Sequence, residues 1–348
     1  MDDSKKRINS IDIARGIAMI SIVLGHLGNS DINRIVFTYH IPIFYLITGY
    51  FIDEKSSPKR FLWRKIRTLI FPYIFSCFLV ICSAVFMNIK FDNGVETKKV
   101  VRTWVLASLY GAGGRLCKNH DIAGIGALWF ILATFWGVII LRLILRCNKY
   151  VRVLLVLGLF ELGIVTSQKL FWFPLSIQPG LCSVLYMYIG YLIKKANESQ
   201  SFSQIWTNKE IKFFLFLFAL KVELSFIDNF QSFWIVQCDY GKGFIDIMAS
   251  LCGCYVLIVI SRIIDDKIHI IGKGFAYLGK HSIYFLTAHI IELNTFYWYR
   301  FAISLMGPNI TEPQYLRFRI AFKLLWIIPI TILLSKIKII RKIYGSDK

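Results

Sequence analysis

The sequence predicts an all-α polytopic membrane protein of about ten transmembrane helices, with both termini cytoplasmic. Three observations predict it. Of 348 residues, 56% are hydrophobic and only 18% charged, and mean hydropathy is +0.57, which is the composition of a bilayer protein. Apolar runs near 20 residues, the length of a span, recur along the chain. The stretches joining them hold roughly 26 Lys plus Arg on one side and roughly 12 on the other, the bias that orients spans with the basic side inside. Aromatic residues, 16% of the chain, fall near the ends of apolar runs, as in interfacial belts.

The net charge of +20 is spread over short clusters between apolar runs, such as "KSSPKRFLWRKIR" and "KIKIIRK". That distribution excludes a nucleic-acid footprint, which would gather on one polar face. "MDDSKKR" is a basic lead, but the run behind it contains Arg15 and no clear cleavage site, so it reads as a retained first span. The eight cysteines are scattered and complete no zinc pattern. Cys117 and Cys238 fall in outer loops, where a disulfide is conceivable. No internal repeat is visible, which weighs against transporters built from repeated halves. The chain reads as a single membrane domain, 1–348, with no separate soluble domain.

The runs lie at about 11–29, 36–52, 68–88, 127–146, 151–168, 178–193, 211–227, 244–261, 275–293 and 319–335, each near the length of a bilayer crossing. Ionisable residues inside spans are costly and usually face a bundle interior or a cavity. In the first run Arg15 and His26 stand 11 residues apart, close to three whole turns and a rise of about 16 Å, so both lie on one face. Asp12, one turn before Arg15, shares it and can pair with the guanidinium. Each has a plainer explanation: Arg15 can snorkel to lipid phosphates, and His26 can be an interhelical hydrogen bonder.

The second run, "FTYHIPIFYLITGYF", carries His40, Pro42, which interrupts helical hydrogen bonding, and Gly49, which lets another helix approach closely. The third follows "KRFLWRKIR", where Arg64 and Arg67 sit one turn apart and suit a polyphosphate ligand, or merely anchor the span. Between it and the fourth run, "YGAGGRLCKNHDIAGIGA" has the glycines of a loop beside a ligand, or of a solvated connector. The ninth run, "YLGKHSIYFLTAHIIE", places His289 and Glu292 at the depth of His26 and His40. No close ligand pair supports a metal, and acid/base chemistry is the better reading of these histidines.

These residues resemble acyltransferase family 3, and most closely its fucose 4-O-acetylase-like branch. "DIARGIAMISIVLGH" matches the family's D-x-x-R-G start with a histidine after ten residues, through Asp12, Arg15, Gly16 and His26. "YHIPIFYLITGYF" resembles F-H-M-P-L-F-F-x-x-S-G-Y, with Tyr39, Ile41 and Thr48 as mild departures. "RKIRTLIFPY" resembles the R-x-x-R segment followed by Pro-Tyr, "GALWFILATF" the G-x-L-W-F segment with Trp129, and "YLGKHSIYFLTAHIIE" the late helix ending in histidine.

The resemblance implies a bacterial cytoplasmic-membrane O-acetyltransferase that carries an acetyl group from cytoplasmic acetyl-CoA to a hydroxyl of a cell-surface or lipid-linked glycan. On that reading His26, Arg15 and Asp12 are catalytic, and Arg64, Arg67 and Arg15 hold the donor. His40, Trp129, His289 and Glu292 face the acceptor, although Trp129 could equally anchor the interface. Transfer can be direct or pass through an acyl-histidine. The rivals are a transporter or flippase of a polysaccharide precursor, since intramembrane charges also mark transport paths, and a noncatalytic envelope component.

Overall fold

The computed structural model describes residues 8–91, 94–114, 122–199 and 208–345, and every regular element among them is a helix. Six helical stretches are long and apolar enough to cross a membrane: Pro58–Phe91, Gly126–Ile144, Lys149–Lys169, Pro174–Glu198, Phe244–Lys267 and Glu312–Lys336. Each of the ten apolar runs overlaps a helix, but the boundaries differ in ways that matter for the site.

Helix α1 spans Asn9–Gly25 and ends at His26, three residues short of the expected end at 29. The ending is built by hydrogen bonding, since a helix leaves its last four carbonyls without partners. The His26 ring takes that of Ile22 and its backbone N–H that of Val23, while Leu27 N–H takes that of Leu24. Gly28 then turns the chain with φ +72°, a conformation that favours glycine. A short α2, Ser30–Val36, follows, and α3, Pro42–Tyr50, begins at the proline, whose fixed φ and missing N–H suit a first turn.

Helix α4, Pro58–Lys65, runs through a π-helical segment, Ile66–Ile70, into α5, Phe71–Phe91. Pro72 explains the π segment. It cannot donate to the Thr68 carbonyl and its ring crowds that oxygen, which the wider π turn relieves. Helix α6, Thr97–Tyr110, lies in the stretch expected to be a connector. Lys98, Lys99 and Arg102 keep it too polar for a spanning run. Helices α7, Trp129–Ile144, α8, Lys149–Lys169, α9, Ile177–Glu198, α10, Lys209–Asp228, and α11, Phe244–Lys267, follow. The ninth run is broken at His281 into α12, His269–Lys280, and α13, Ser282–Thr295. Helices α14, Trp298–Met306, α15, Glu312–Lys336, and α16, Lys338–Ile343, complete the chain.

Helix α9 packs against α3, α7 and α8, while α1 lies against α11 and α12, and α13 against α5 and α15. Two crossings bring backbones together. A Cβ on Gly16 would stand 2.0 Å from the Phe275 carbonyl oxygen, and one on Gly279 1.8 Å from that of Asp12. Gly49 meets Met187 and Gly190 meets Leu46 in the same way, the close approach expected of Gly49. Small residues at such crossings are the usual means by which membrane helices gain packing energy, because lipid offers no hydrophobic drive between them. Cys238 is a buried free thiol; Cys117, its suggested partner, lies outside the described residues.

Substituting Gly279 or Gly16 by Ala should therefore destabilise the detergent-solubilised protein by about 1–3 kcal/mol, read as a lowered thermal midpoint. Gly158→Ala, with open space around its added methyl, should leave the midpoint unchanged or raise it, since alanine is the better helix former.

Candidate active site

The centre of the site is a chain of buried polar groups. The His26 Nδ1–H donates to the Ile22 carbonyl at 2.7 Å. A carbonyl oxygen can only accept, so the hydrogen is on Nδ1, which leaves Nε2 as the lone-pair atom of the neutral ring. Nε2 of His289 lies 3.3 Å from the same Nδ1, and the ring centroids are 5.0 Å apart. His289 in turn donates from Nδ1 to Glu292 Oε1 at 2.8 Å.

Glu292 is wholly buried, 0% exposed, and so is Lys323. Lys323 Nζ donates to both carboxylate oxygens, at 2.8 and 2.7 Å, and Trp298 Nε1 donates to Oε2 at 2.5 Å. With His289, the carboxylate accepts four hydrogen bonds, which fills its capacity. Lys323 also lies 5.6 Å from the Trp298 ring centroid, within cation–π range. A buried ion pair tends to break even against hydrophobic packing, but only when every lone pair is satisfied, as here.

Arg319 joins this network to the backbone of the first helix. Its guanidinium donates to the Leu27 and His26 carbonyls, at 2.8 and 3.2 Å. The residue that ends α1 is thereby held by a side chain from α15, nearly 300 positions away. His40 bonds the Val36 carbonyl through Nδ1 at 2.7 Å, in the tautomer of His26, and lies close enough to His26 for their charges to interact. Thr38, two residues earlier, donates to the buried Glu223.

His26 opens onto a cavity of about 590 Å³ walled by Lys99, Thr103 and Trp104 of α6, by Asn294, and by the glycines 113, 114, 124 and 126. Trp129 is buried behind this wall, with its ring against Gly113 and Phe130. The glycine-rich stretch expected to approach a ligand does line the cavity over its described part; residues 115–121 lie outside the described residues. No group of three His, Cys, Asp or Glu among the described residues is placed to hold a metal ion.

The opposite end of α1 is basic. Arg15 stands 3.8 Å from Asp12, which is buried, and close enough to Lys65 for their charges to interact. Arg64 donates to Asp53 Oδ2 at 2.8 Å, so it is an ion-paired cation, while Arg67 is exposed. Partial burial alone would raise the Asp53 pKa. Arg64 and the Lys55 and Ser56 backbone N–H groups outweigh it and hold the carboxyl well below the usual range. The pair's contribution to stability is therefore complete above the ordinary carboxylate pKa and is lost as pH falls through the lowered value. Arg142 donates to the Glu54 and Ser56 carbonyls, fixing the same loop.

Of the residues singled out in the sequence, the structure gathers His26, His289 and Glu292 in one network, with His40 nearby. Asp12, Arg15, Arg64 and Arg67 are placed at the other end of the first helix, and Trp129 in the cavity's outer shell. Sequence reasoning missed Lys323, Trp298, Arg319, Lys99 and Trp104. The signal for two of them was present: "YLRFRIAFKLLW" puts Arg319 and Lys323 inside an apolar run, where ionisable residues call for a partner.

A helical bundle with a buried histidine–carboxylate array beside an open cavity is the frame of a membrane enzyme. The acyltransferase domain that defines acyltransferase family 3 matches residues 8–335, and the chain belongs to that family. It is an acyltransferase and a multi-pass membrane protein. No curated protein and no solved structure matches the chain.

Lys323→Met should destabilise the fold by about 3–5 kcal/mol, because it strands the Glu292 charge in the interior. The double variant Lys323→Met with Glu292→Leu should recover most of that loss, a non-additivity that a double-mutant cycle of thermal unfolding measures.

Proposed function

We propose that this acyltransferase moves an acetyl group from acetyl-CoA, bound at the Arg15 end of α1, to a hydroxyl of a cell-surface or lipid-linked glycan held in the cavity at the His26 end. The reading rests chiefly on the His26–His289–Glu292 array, whose first member opens onto a cavity of about 590 Å³. Basic side chains at one end of the helix and a hydroxyl-activating group at the other suit a reaction whose two substrates meet within the bundle. The rise of about 16 Å between Arg15 and His26 is within reach of a pantetheine arm. The orientation in which the Arg15 end is cytoplasmic, in a bacterial inner membrane, belongs to the same proposal.

An unactivated alcohol is a poor nucleophile, so the acceptor hydroxyl must lose its proton as it attacks. Nε2 of His26 takes that proton. The oxygen bonds to the thioester carbonyl carbon, the C–S bond breaks, and the CoA thiolate leaves and takes up the proton that His26 removed, which returns the ring to its neutral form. As His26 gains positive charge, the hydrogen on its Nδ1 is shared with His289, whose own Nδ1–H is held by the ionised Glu292. The array thus stabilises the charge that develops on the base, the role a buried carboxylate plays behind a catalytic histidine. Trp104 and the glycine-lined wall offer a flat face and exposed backbone groups to a sugar. Arg64 and Arg67 face the anionic end of the donor.

Purified protein with labelled acetyl-CoA and candidate glycans should release CoA and transfer label. His26→Ala should lower turnover by about 10²- to 10⁴-fold without loss of the folded protein; near-normal turnover would remove the assignment, and acceptor movement without CoA release would favour a transporter. His289→Asn should reduce kcat by about 10²-fold with little change in KM, as expected of a group that acts on the base and not on ground-state binding. Arg64 and Arg67 changed together to Gln should raise the KM for acetyl-CoA and leave kcat near its original value.

A further inference from the structure

The cavity at His26 is the first of three hollows in a row. It shares Val95, Val100, Trp104 and Asn294 with a second of about 260 Å³, which shares Tyr297 with a third of about 430 Å³. Leu293 walls both the first and the third. Cationic side chains line the row at two places, Lys99 in the first hollow and Arg300, Arg319 and Lys323 in the third, and no carboxylate lines any of the three among the described residues.

Lys323 is neutralised by Glu292, but Arg300 and Arg319 have no carboxylate partner among the described residues. Arg319 spends its terminal nitrogens on two neutral carbonyls, and its buried Nε has no hydrogen-bond partner there. Arg300 is exposed and lies 5.4 Å from the centroid of the Tyr297 ring. In the orientation proposed above, both arginines stand at the outer end of the bundle, where the bias that orients spans asks for no cations. Tyr299 lines the hollow and is exposed, and the two helices that wall it carry further exposed apolar side chains, Leu305 and Met306 on α14 and Leu325 on α15.

We propose that the third hollow binds the phosphate of a membrane amphiphile, namely the phosphate that joins the acceptor saccharide to its lipid. This rests on the transferase reading and specifies its acceptor as lipid-linked. The exposed Arg300 guanidinium supplies paired donors for phosphate oxygens, and Arg319, held on its two carbonyls, adds uncompensated positive charge. Tyr299 and the α14 surface take the first part of the lipid chain, and the shared walls lead the saccharide toward His26. Lys323, already bound to Glu292, adds positive potential without giving up its partner.

The test is a binding measurement that needs no acetyl donor. Nanodiscs of neutral phosphatidylcholine carrying the purified protein are mixed with a radiolabelled polyisoprenyl phosphate, with the matching polyisoprenol as control. The phosphate should bind and the alcohol should not. Arg300→Gln should weaken binding about tenfold, the loss of one charge-assisted hydrogen bond, and Arg300→Lys should restore part of it. CoA release with a water-soluble glycan acceptor should be unchanged in Arg300→Gln, which shows that the variant is folded. Equal binding of the alcohol, or undiminished binding by Arg300→Gln, would overturn the site. Displacement by inorganic phosphate as effective as by the unlabelled lipid would assign the hollow to a free anion and overturn the lipid. Failure of CoA release in the native protein, with lipid binding intact, would instead count against the transferase chemistry alone.

Discussion

The Glu292–Lys323 pair is the constraint from which the rest of the site follows. A lone carboxylate in the interior of a membrane protein would either be neutralised or unfold its surroundings. Here a lysine from α15, an indole from α14 and an imidazole from α13 together saturate it. Each contact is a demand on the fold: three segments must converge, and the side chains must arrive dry. Once they do, the orientation of His289 is fixed, and with it the face that His289 presents to His26.

The hydrogen-bond accounting at the end of α1 makes the same point in backbone terms. His26 is catalytically useful in the proposed reaction because it is also a cap. Its Nδ1 is committed to the Ile22 carbonyl, and that commitment leaves Nε2 as the basic atom. A histidine one residue earlier would lie inside the last turn. Helix termination, tautomer and the Arg319 clamp are three descriptions of one local arrangement, and catalysis would inherit its geometry from structural necessity.

Much of this was legible in the sequence. Each of the ten apolar runs overlaps a helix, six helical stretches being long and apolar enough to cross a membrane, and the cost of burying charge singles out Arg15, His26, His289 and Glu292. What escaped has physical reasons. Helix α6 is amphipathic and charged, so a search for bilayer-length apolar runs passes over it. The break at His281 has no proline to announce it. Lys323 and Arg319 sat in plain view within an apolar run, yet their importance depends on partners more than 20 positions away, a relation that spacing along one helix does not carry. Trp298 is one of many aromatics near the ends of apolar runs, and nothing along the chain marks its indole as the partner of a buried carboxylate. Spacing alone makes Arg64 and Arg67 a pair, whereas the structure gives Arg64 an acidic partner in Asp53 and leaves Arg67 exposed.

The glycine crossing between α1 and α12 has a mechanical consequence. With Gly16 against the Phe275 carbonyl and Gly279 against that of Asp12, a slide of one residue along either axis would drive a side chain into a backbone. The first helix is keyed to its neighbour as a shaft is to its hub. Any motion that admits substrates must therefore be carried by other parts of the bundle, while Arg15 and His26 keep a constant separation through the cycle. A protein that worked by rocking its halves past one another would have little use for such a key.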